Sequence, residues 1–368
     1  MTVRIQKPAV NIREKLAELE RPIGINGQAL LATDTPQQAF SLIGASRTNL
    51  LINADFKVSQ RGDYSSATSI STATYYLDRW KTDVSGVTAT IQRQTVTLPD
   101  GTQTYSAKID STSTVANSYL QLQQFVELFP YIQGRTVTMS AWVRSNRQAR
   151  LRMESTSGNY DGLTAHSGSG NWEYITQTLT LGTGLSLLKF GVIFWNSSGG
   201  TTGTSTGAGI NSGDYIEFAN YQVEFGKVAT PFEYRSYGQE LALCQRYYEK
   251  SFEDTTTPAN GSTTTSFITE VGLTWGWAAH RGTYPTNDYL GRSVFAKFKV
   301  PKRVAPAVVL CGNSNGLPYI YDTTNGSRWV TTGWGVASNK EGFEMQNDFT
   351  NSTPMTFAFS HWTASAEL

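Results

Sequence analysis

The chain has 368 residues, 39% of them hydrophobic, enough for two or three domains each with a core of its own. Charged residues make up only 16%, with a formal net charge of +1, against roughly 25% charged in an average soluble domain. No basic run and no long apolar run occurs, which argues against nucleic-acid partners and against a membrane-spanning helix. The start, MTVRIQKPAVN, lacks the apolar segment of a secretory signal, so synthesis and retention in the cytosol are expected.

Residues 1–47 are predicted to form a helical attachment segment. Ile5, Ile12, Leu16, Leu19 and Ile23 recur at seven, four, three and four residues, with Arg13, Glu14, Lys15, Glu18 and Glu20 outside that line. This is the rhythm of a helix that packs against copies of itself, with Ile12, Leu16 and Leu19 as the seam. Asn11 is placed to cap it and Pro22 to end it.

From 48 to 235 period-two alternation dominates. In TVTMSAWVR, Val137, Met139, Ala141 and Val143 share one face, and Thr136, Thr138, Ser140, Trp142 and Arg144 the other. Leu120 with Leu122, Leu151 with Met153, and Leu188, Phe190, Val192 and Phe194 repeat the scheme between Gly and Ser turns. Many short alternating strands predict a jelly-roll β-sandwich. It closes on Tyr221, Val223 and Phe225, and Pro231 breaks the ladder.

A coupling helix is expected over 236–250, where Tyr237, Leu241, Cys244 and Tyr248 recur at four, three and four residues as a second trimer seam. Two heptads are too few to associate alone. Residues 251–368 hold further strand-like runs, among them VFAKFKV, AVVLCG, RWVTTGWGV and MTFAFSHW, and predict a smaller β-sandwich as a distal tip.

The residues that carry chemistry are few. Cys244 and Cys311 are far apart and read as small core residues rather than as a disulfide or metal pair. The three histidines, His166, His280 and His361, lack zinc-site spacing, and no cofactor or metal is expected. The one nucleophile-elbow pattern, Gly203 to Gly207, sits in a Gly/Thr loop with no strand before it. Asp161, Glu173, Asp214 and Glu217 could supply a glycosidase pair, but exposed carboxylates are commonplace.

Aromatic residues are plentiful, with 9 Trp, 18 Tyr and 17 Phe. Several sit opposite the aliphatic face of a strand or in polar loops, as Trp142, Tyr160, Trp172 and Trp195 do. Sugars offer an apolar face and a rim of hydroxyls, which aromatic platforms beside short polar groups can bind. The glycan-binding candidates are Trp275, Trp277, His280, Arg281 and Tyr284 in TWGWAAHRGTYPTNDY, together with Trp334, Trp195 and Tyr160. For any single one of them, core packing or a subunit interface is the better reading. Asp78-Arg79-Trp80 is read as structural: an arginine held by a carboxylate beside an indole can fix a strand within a sandwich.

Taken together, GINGQALLATDTPQQAFSLIGA, TNLLINADFKVSQRG, YYLDRW, YQVEFGKVATPFEYRSYGQELALCQRYYE and HWTASAEL resemble tail-fibre or appendage proteins of tailed, cyanophage-like bacteriophages. The 48–235 region resembles carbohydrate-binding-module jelly rolls in a general way. The resemblance implies a homotrimeric, non-enzymatic virion protein assembled in the bacterial cytoplasm, docked on the phage tail or baseplate through residues 1–47. Its distal domain would meet a host-surface glycan or protein. A structural calcium found in related sandwiches is put in doubt by Lys57 after Asp55-Phe56. A decoration or adaptor protein that meets no receptor is the alternative, with a polysaccharide depolymerase third.

Overall fold

The structure, a computed structural model, describes residues 48–115, 119–127, 130–156, 158–194, 210–251, 290–311, 319–322, 328–330, 335–349, 357–358 and 361–368. The expected N-terminal helix, with Ile12, Leu16 and Leu19, lies outside the described residues.

Among the described residues, eleven strands build the first unit: β1 (Thr68–Ser69), β2 (Lys81–Ser85), β3 (Ala89–Thr97), β4 (Gln103–Ser111), β5 (Tyr119–Phe125), β6 (Thr136–Ser145), β7 (Ala149–Ser155), β8 (Gly158–Ala165), β9 (Trp172–Thr180), β10 (Leu188–Phe194) and β11 (Tyr215–Phe225). They form a six-stranded sheet, β1-β3-β4-β11-β6-β9, and a five-stranded sheet, β2-β5-β10-β7-β8, with antiparallel pairing throughout. One core lies between them. Val137, Met139, Ala141 and Val143 of β6 meet Leu151 of β7 and Phe190 and Val192 of β10 there, all essentially without solvent contact. Around Trp80, the rings of Phe56, Phe218 and Tyr221 pack at centroid distances of 5.2, 5.3 and 6.0 Å.

Tyr221 and Val223 are buried as the alternation requires, but the phase of β11 is not uniform. Its register on β6 shifts between Ala219 and Gln222, where Asn220 takes φ 50°. The bulge puts one extra residue into β11, so Ile216 and Phe218 before it and Tyr221 and Val223 after it all reach the core. Gln222 and Glu224 then face the segment that follows the strand. Thr230 N and Oγ1 both donate to Glu224, and Glu233 N donates to Gln222 Oε1 at 2.8 Å.

The opening segment is held by two buried asparagines. Asn49 Oδ1 accepts from Leu51 N and Val223 N, and its Nδ2 donates to Tyr221 O. Asn53, at φ 54°, donates to Val58 O and Asp78 O, accepts from Val58 N, and receives the Trp80 indole N–H on its carbonyl. Lys57 Nζ pairs with Asp55 at 2.7 Å and donates to Arg235 O at 2.6 Å.

Helix α1 (Tyr237–Gln245) starts at a reciprocal capping box between Ser236 and Gln239. It is shorter than the sequence predicts. After Gln245 the chain becomes β12 (Tyr248–Lys250), because Tyr248, Glu249 and Lys250 pair with a strand more than a hundred residues later. The predicted seam is corrected accordingly. Cys244 is fully enclosed by its own chain, and Tyr248 is a buried strand residue beneath the Arg61 guanidinium, 3.8 Å from its ring centre. Leu241 is half-buried, while Tyr237 is exposed.

The C-terminal unit consists, among the described residues, of three three-stranded antiparallel sheets. They are built from β13 (Leu290–Lys297), β14 (Ala307–Cys311), β15 (Tyr319–Asp322), β16 (Arg328–Val330), β17 (Gly335–Ser338), β18 (Gly342–Phe349), β19 (Phe357–Ala358) and β20 (His361–Ser365), with β12 added at one edge. A small core of Ala296, Phe298, Phe343, Trp362 and Ala364 closes it. Lys302, which has no solvent exposure, donates to Gln245 O (2.6 Å), Glu249 Oε2 (2.5 Å) and Val300 O (3.0 Å), so it caps the helix end and neutralises β12 at once. Burial pulls its pKa down, against the opposing pull of Glu249.

Candidate functional site

The outer face of the five-stranded sheet carries a connected polar array. Leu120 and Leu122 of β5 point into the core, so alternation sends Tyr119, Gln121, Gln123 and Phe125 outward. The ladders align Gln123 with Lys81 on one side and Gly191 on the other, and Gly191 with Arg152. In the adjoining rows Gln121 lies opposite Asp83, and Lys189 lies between Phe125 and Glu154.

Within this array Gln121 Nε2 donates to Gln123 Oε1 at 2.6 Å, and Gln123 Nε2 donates to Asp83 Oδ2 at 3.1 Å. Lys189 Nζ pairs with Glu154 at 2.7 Å, and both it and Lys81 Nζ stand 5.0 Å from the centre of the Phe125 ring. Burial, reinforced by Asp83, raises the pKa of the Tyr119 hydroxyl. The floor is Gly191. A Cβ there would come within 2.5 Å of Leu122 O, so only glycine lets β10 lie this close to β5.

Gln121, Gln123, Arg152, Glu154, Lys189 and Gly191 line a shallow dip with no room for an enclosed group. It is not a pocket that surrounds a small molecule, so a ligand would lie across the face. The amides of Gln121 and Gln123 are nearly sealed, at 3% and 4% exposure, whereas Tyr119 is 37% exposed at one end of β5. Rim groups would therefore touch the ligand while the amides hold them in place. At ~3.4 Å per residue, Tyr119 and Phe125 mark out about 20 Å of strand.

Other polar clusters are committed to the fold. Glu217 accepts from Ser106 Oγ and from the Arg144 guanidinium, Asp214 pairs with Arg147 at 2.8 Å, and Glu173 gathers the Ser167 and Ser169 hydroxyls. Three of the four carboxylates weighed as glycosidase acids thus have partners within the sandwich. His166, buried, bridges Asn171 O and Gly168 N. On the outer face of the six-stranded sheet Trp142 and Tyr174 pack at 5.3 Å, and Arg144 lies 5.1 Å from the Trp172 ring centre.

Of the glycan-binding candidates taken from the sequence, Trp195, Trp275, Trp277, His280, Arg281, Tyr284 and Trp334 lie outside the described residues. The backbone of Tyr160 is in β8, opposite Met153. None of the array residues was singled out from sequence. Their one local signal is the alternation in YLQLQQF, which any solvent-facing strand shows.

The Asp78-Arg79-Trp80 reading holds in kind and changes in detail. The Asp78 carboxylate accepts from Gln60 N (2.6 Å) and Gln60 Nε2 (2.8 Å). The carboxylate on Arg79 is instead that of Glu367.

No protein-family model matches the chain, and no curated protein matches it. Among solved structures it is similar to the carbohydrate-binding module TmCBM61, solved with β-1,4-galactotriose, at 12% identity over 49% of this chain and 99% of that one, with a TM-score of 0.30. The enzymatically active domain of tailspike protein 4 from bacteriophage CBA120 matches at 11% identity over 48% of this chain and 21% of that one, TM-score 0.30. A family 4 carbohydrate-binding module matches at 14% identity over 47% and 98%, TM-score 0.28.

Proposed function

We propose that this protein is a trimeric tail-fibre adhesin of a tailed bacteriophage, and that its sandwich binds host-surface glycan across the outer face of the five-stranded sheet. The observation that carries the glycan reading is the array itself. Amide, carboxylate and ammonium groups alternate along the sheet, with an aromatic residue at each end of β5. Sugar hydroxyls both donate and accept, so they suit the carboxylate and ammonium groups at the rim that the sealed amides hold in place, and their C–H faces suit Tyr119 and Phe125. The virion role rests on the sequence resemblance. Three copies on one fibre would raise the binding of weak sites by roughly 10²–10⁴.

The test is retention of the full-length protein on lipopolysaccharides and capsular glycans of candidate hosts, with released reducing ends assayed in the same wells. Tyr119→Ala and Lys189→Ala should each weaken retention roughly 5- to 15-fold, the equivalent of one hydrogen bond or ring contact. Retention without released ends is expected. If the intact trimer is retained on no glycan, the adaptor reading takes over, and released ends would make the protein a depolymerase.

A further inference from the structure

Residues 361–368 leave the C-terminal unit and return to the sandwich. Strand β20 lies between β12 and β14, and beyond it Ala366 N donates to Tyr247 O at 2.7 Å. Arg303 holds this segment from its own unit, donating to Ala366 O and Glu367 O, each at 3.1 Å. The Glu367 side chain then enters the sandwich and takes both Arg79 and Arg61. Next to it, Tyr75 Oη donates to Leu368 O at 2.7 Å.

The two arginines are built to receive a carboxylate. Arg79 is 1% exposed and is presented from a left-handed backbone position at φ 71°. Its guanidinium lies 3.4 Å from the Tyr247 ring centre, and that of Arg61 lies 3.8 Å from Tyr248. The Nε atoms of both are buried without an acceptor; Arg79 Nη2 also donates to Phe125 O at 2.7 Å, and Glu367 is the carboxylate that pairs with both cations. Helix α1 touches the sandwich as well, through Glu240 to Asn53 N, and Arg246 just after it pairs with Glu127. Those contacts involve half-exposed or backbone partners, whereas the Glu367 contact is an ion pair sealed on both sides.

We propose that residues 361–368 act as a strap, with Glu367 as its pin, that makes the C-terminal unit and the sandwich move and unfold as one body. The strap fixes where the C-terminal unit points relative to the sandwich, whatever either unit binds. It is tested in the full-length protein by hydrogen exchange through thermal and denaturant unfolding. The variants are Glu367→Ala and the shape-conserving Glu367→Gln.

In the unaltered protein the amides of β12 and β20 and those of β4, β6 and β11 should lose protection in one transition. Glu367→Ala should split it, with β12 and β20 opening roughly 6–20 °C lower and the sandwich amides unmoved. Glu367→Gln should give a smaller split in the same direction. A single transition in both variants, shifted or not, would overturn the proposal, because the units would then be coupled without the pin.

Discussion

Lys302 and Glu249 form a sealed ion pair, at 0% and 1% side-chain exposure, at the junction of α1, β12 and the C-terminal unit. Lys302→Met keeps the length and apolar stem of the side chain and deletes its charge. It leaves Glu249 buried with Lys299 N as a donor at 3.1 Å, and it strips the carbonyls of Gln245 and Val300 of the ammonium. Breaking one half of a buried pair costs about 3–5 kcal/mol. At ~2–4 °C per kcal/mol for a unit of 150–250 residues, the transition that reports this junction should fall by roughly 6–20 °C. The double variant Lys302→Met/Glu249→Gln should recover most of that loss, because Gln keeps an acceptor for Lys299 N without a charge. The assay is thermal unfolding, with urea unfolding for the free-energy difference, both followed by Trp fluorescence, since Trp362 lies in the adjoining core. A loss below about 1 kcal/mol for the single variant, or a double variant no better than the single, would refute the reasoning.

Two further outcomes are expected. Gly191→Ala should cost about 1–3 kcal/mol by forcing β10 away from the Leu122 carbonyl, and it should weaken glycan retention in the same samples; unchanged retention would place the ligand elsewhere. Burial, opposed by Arg79, pushes the Tyr247 hydroxyl up to about 12. The folded state therefore holds this proton between pH ~10 and ~12 while the unfolded state releases it. That stabilisation, on the order of 2–3 kcal/mol, is present below pH 10 and is lost as pH rises towards 12. Tyr247→Phe should flatten this alkaline fall in a denaturation series across those pH values.

The sandwich was legible because its strands obey a rule written in neighbouring residues. Val137 to Val143 and Leu188 to Phe194 alternate, and both runs line the core. The β11 bulge was not legible, since Ile216, Phe218, Tyr221 and Val223 look like one broken alternation until the register is known. The helix was overextended for a related reason. Tyr248 continues the four-three-four rhythm, but pairing with β20 outcompetes the last helical turn, and that partner lies far away in sequence. Ser236 and Gln239 did carry a local start signal, the capping box. The candidate site was hidden because it is assembled across β2, β5, β10 and β7. Asp83, Gln121, Lys189 and Glu154 each read as an ordinary outward-facing residue, and only the ladders bring them together.

Arg79 and Glu367 are separated by 288 residues, and that distance has a meaning in time. A ribosome adding ~5–20 residues per second needs roughly 15–60 s to make the partner after the arginine has emerged. In the last part of that interval, once Tyr247 and Tyr248 have been made, a nascent sandwich holds two stacked arginines still without Glu367. Its closure is set by the arrival of residues 361–368, so a ribosome stalled before them would leave an arginine-lined opening that other acidic segments in the cell can enter.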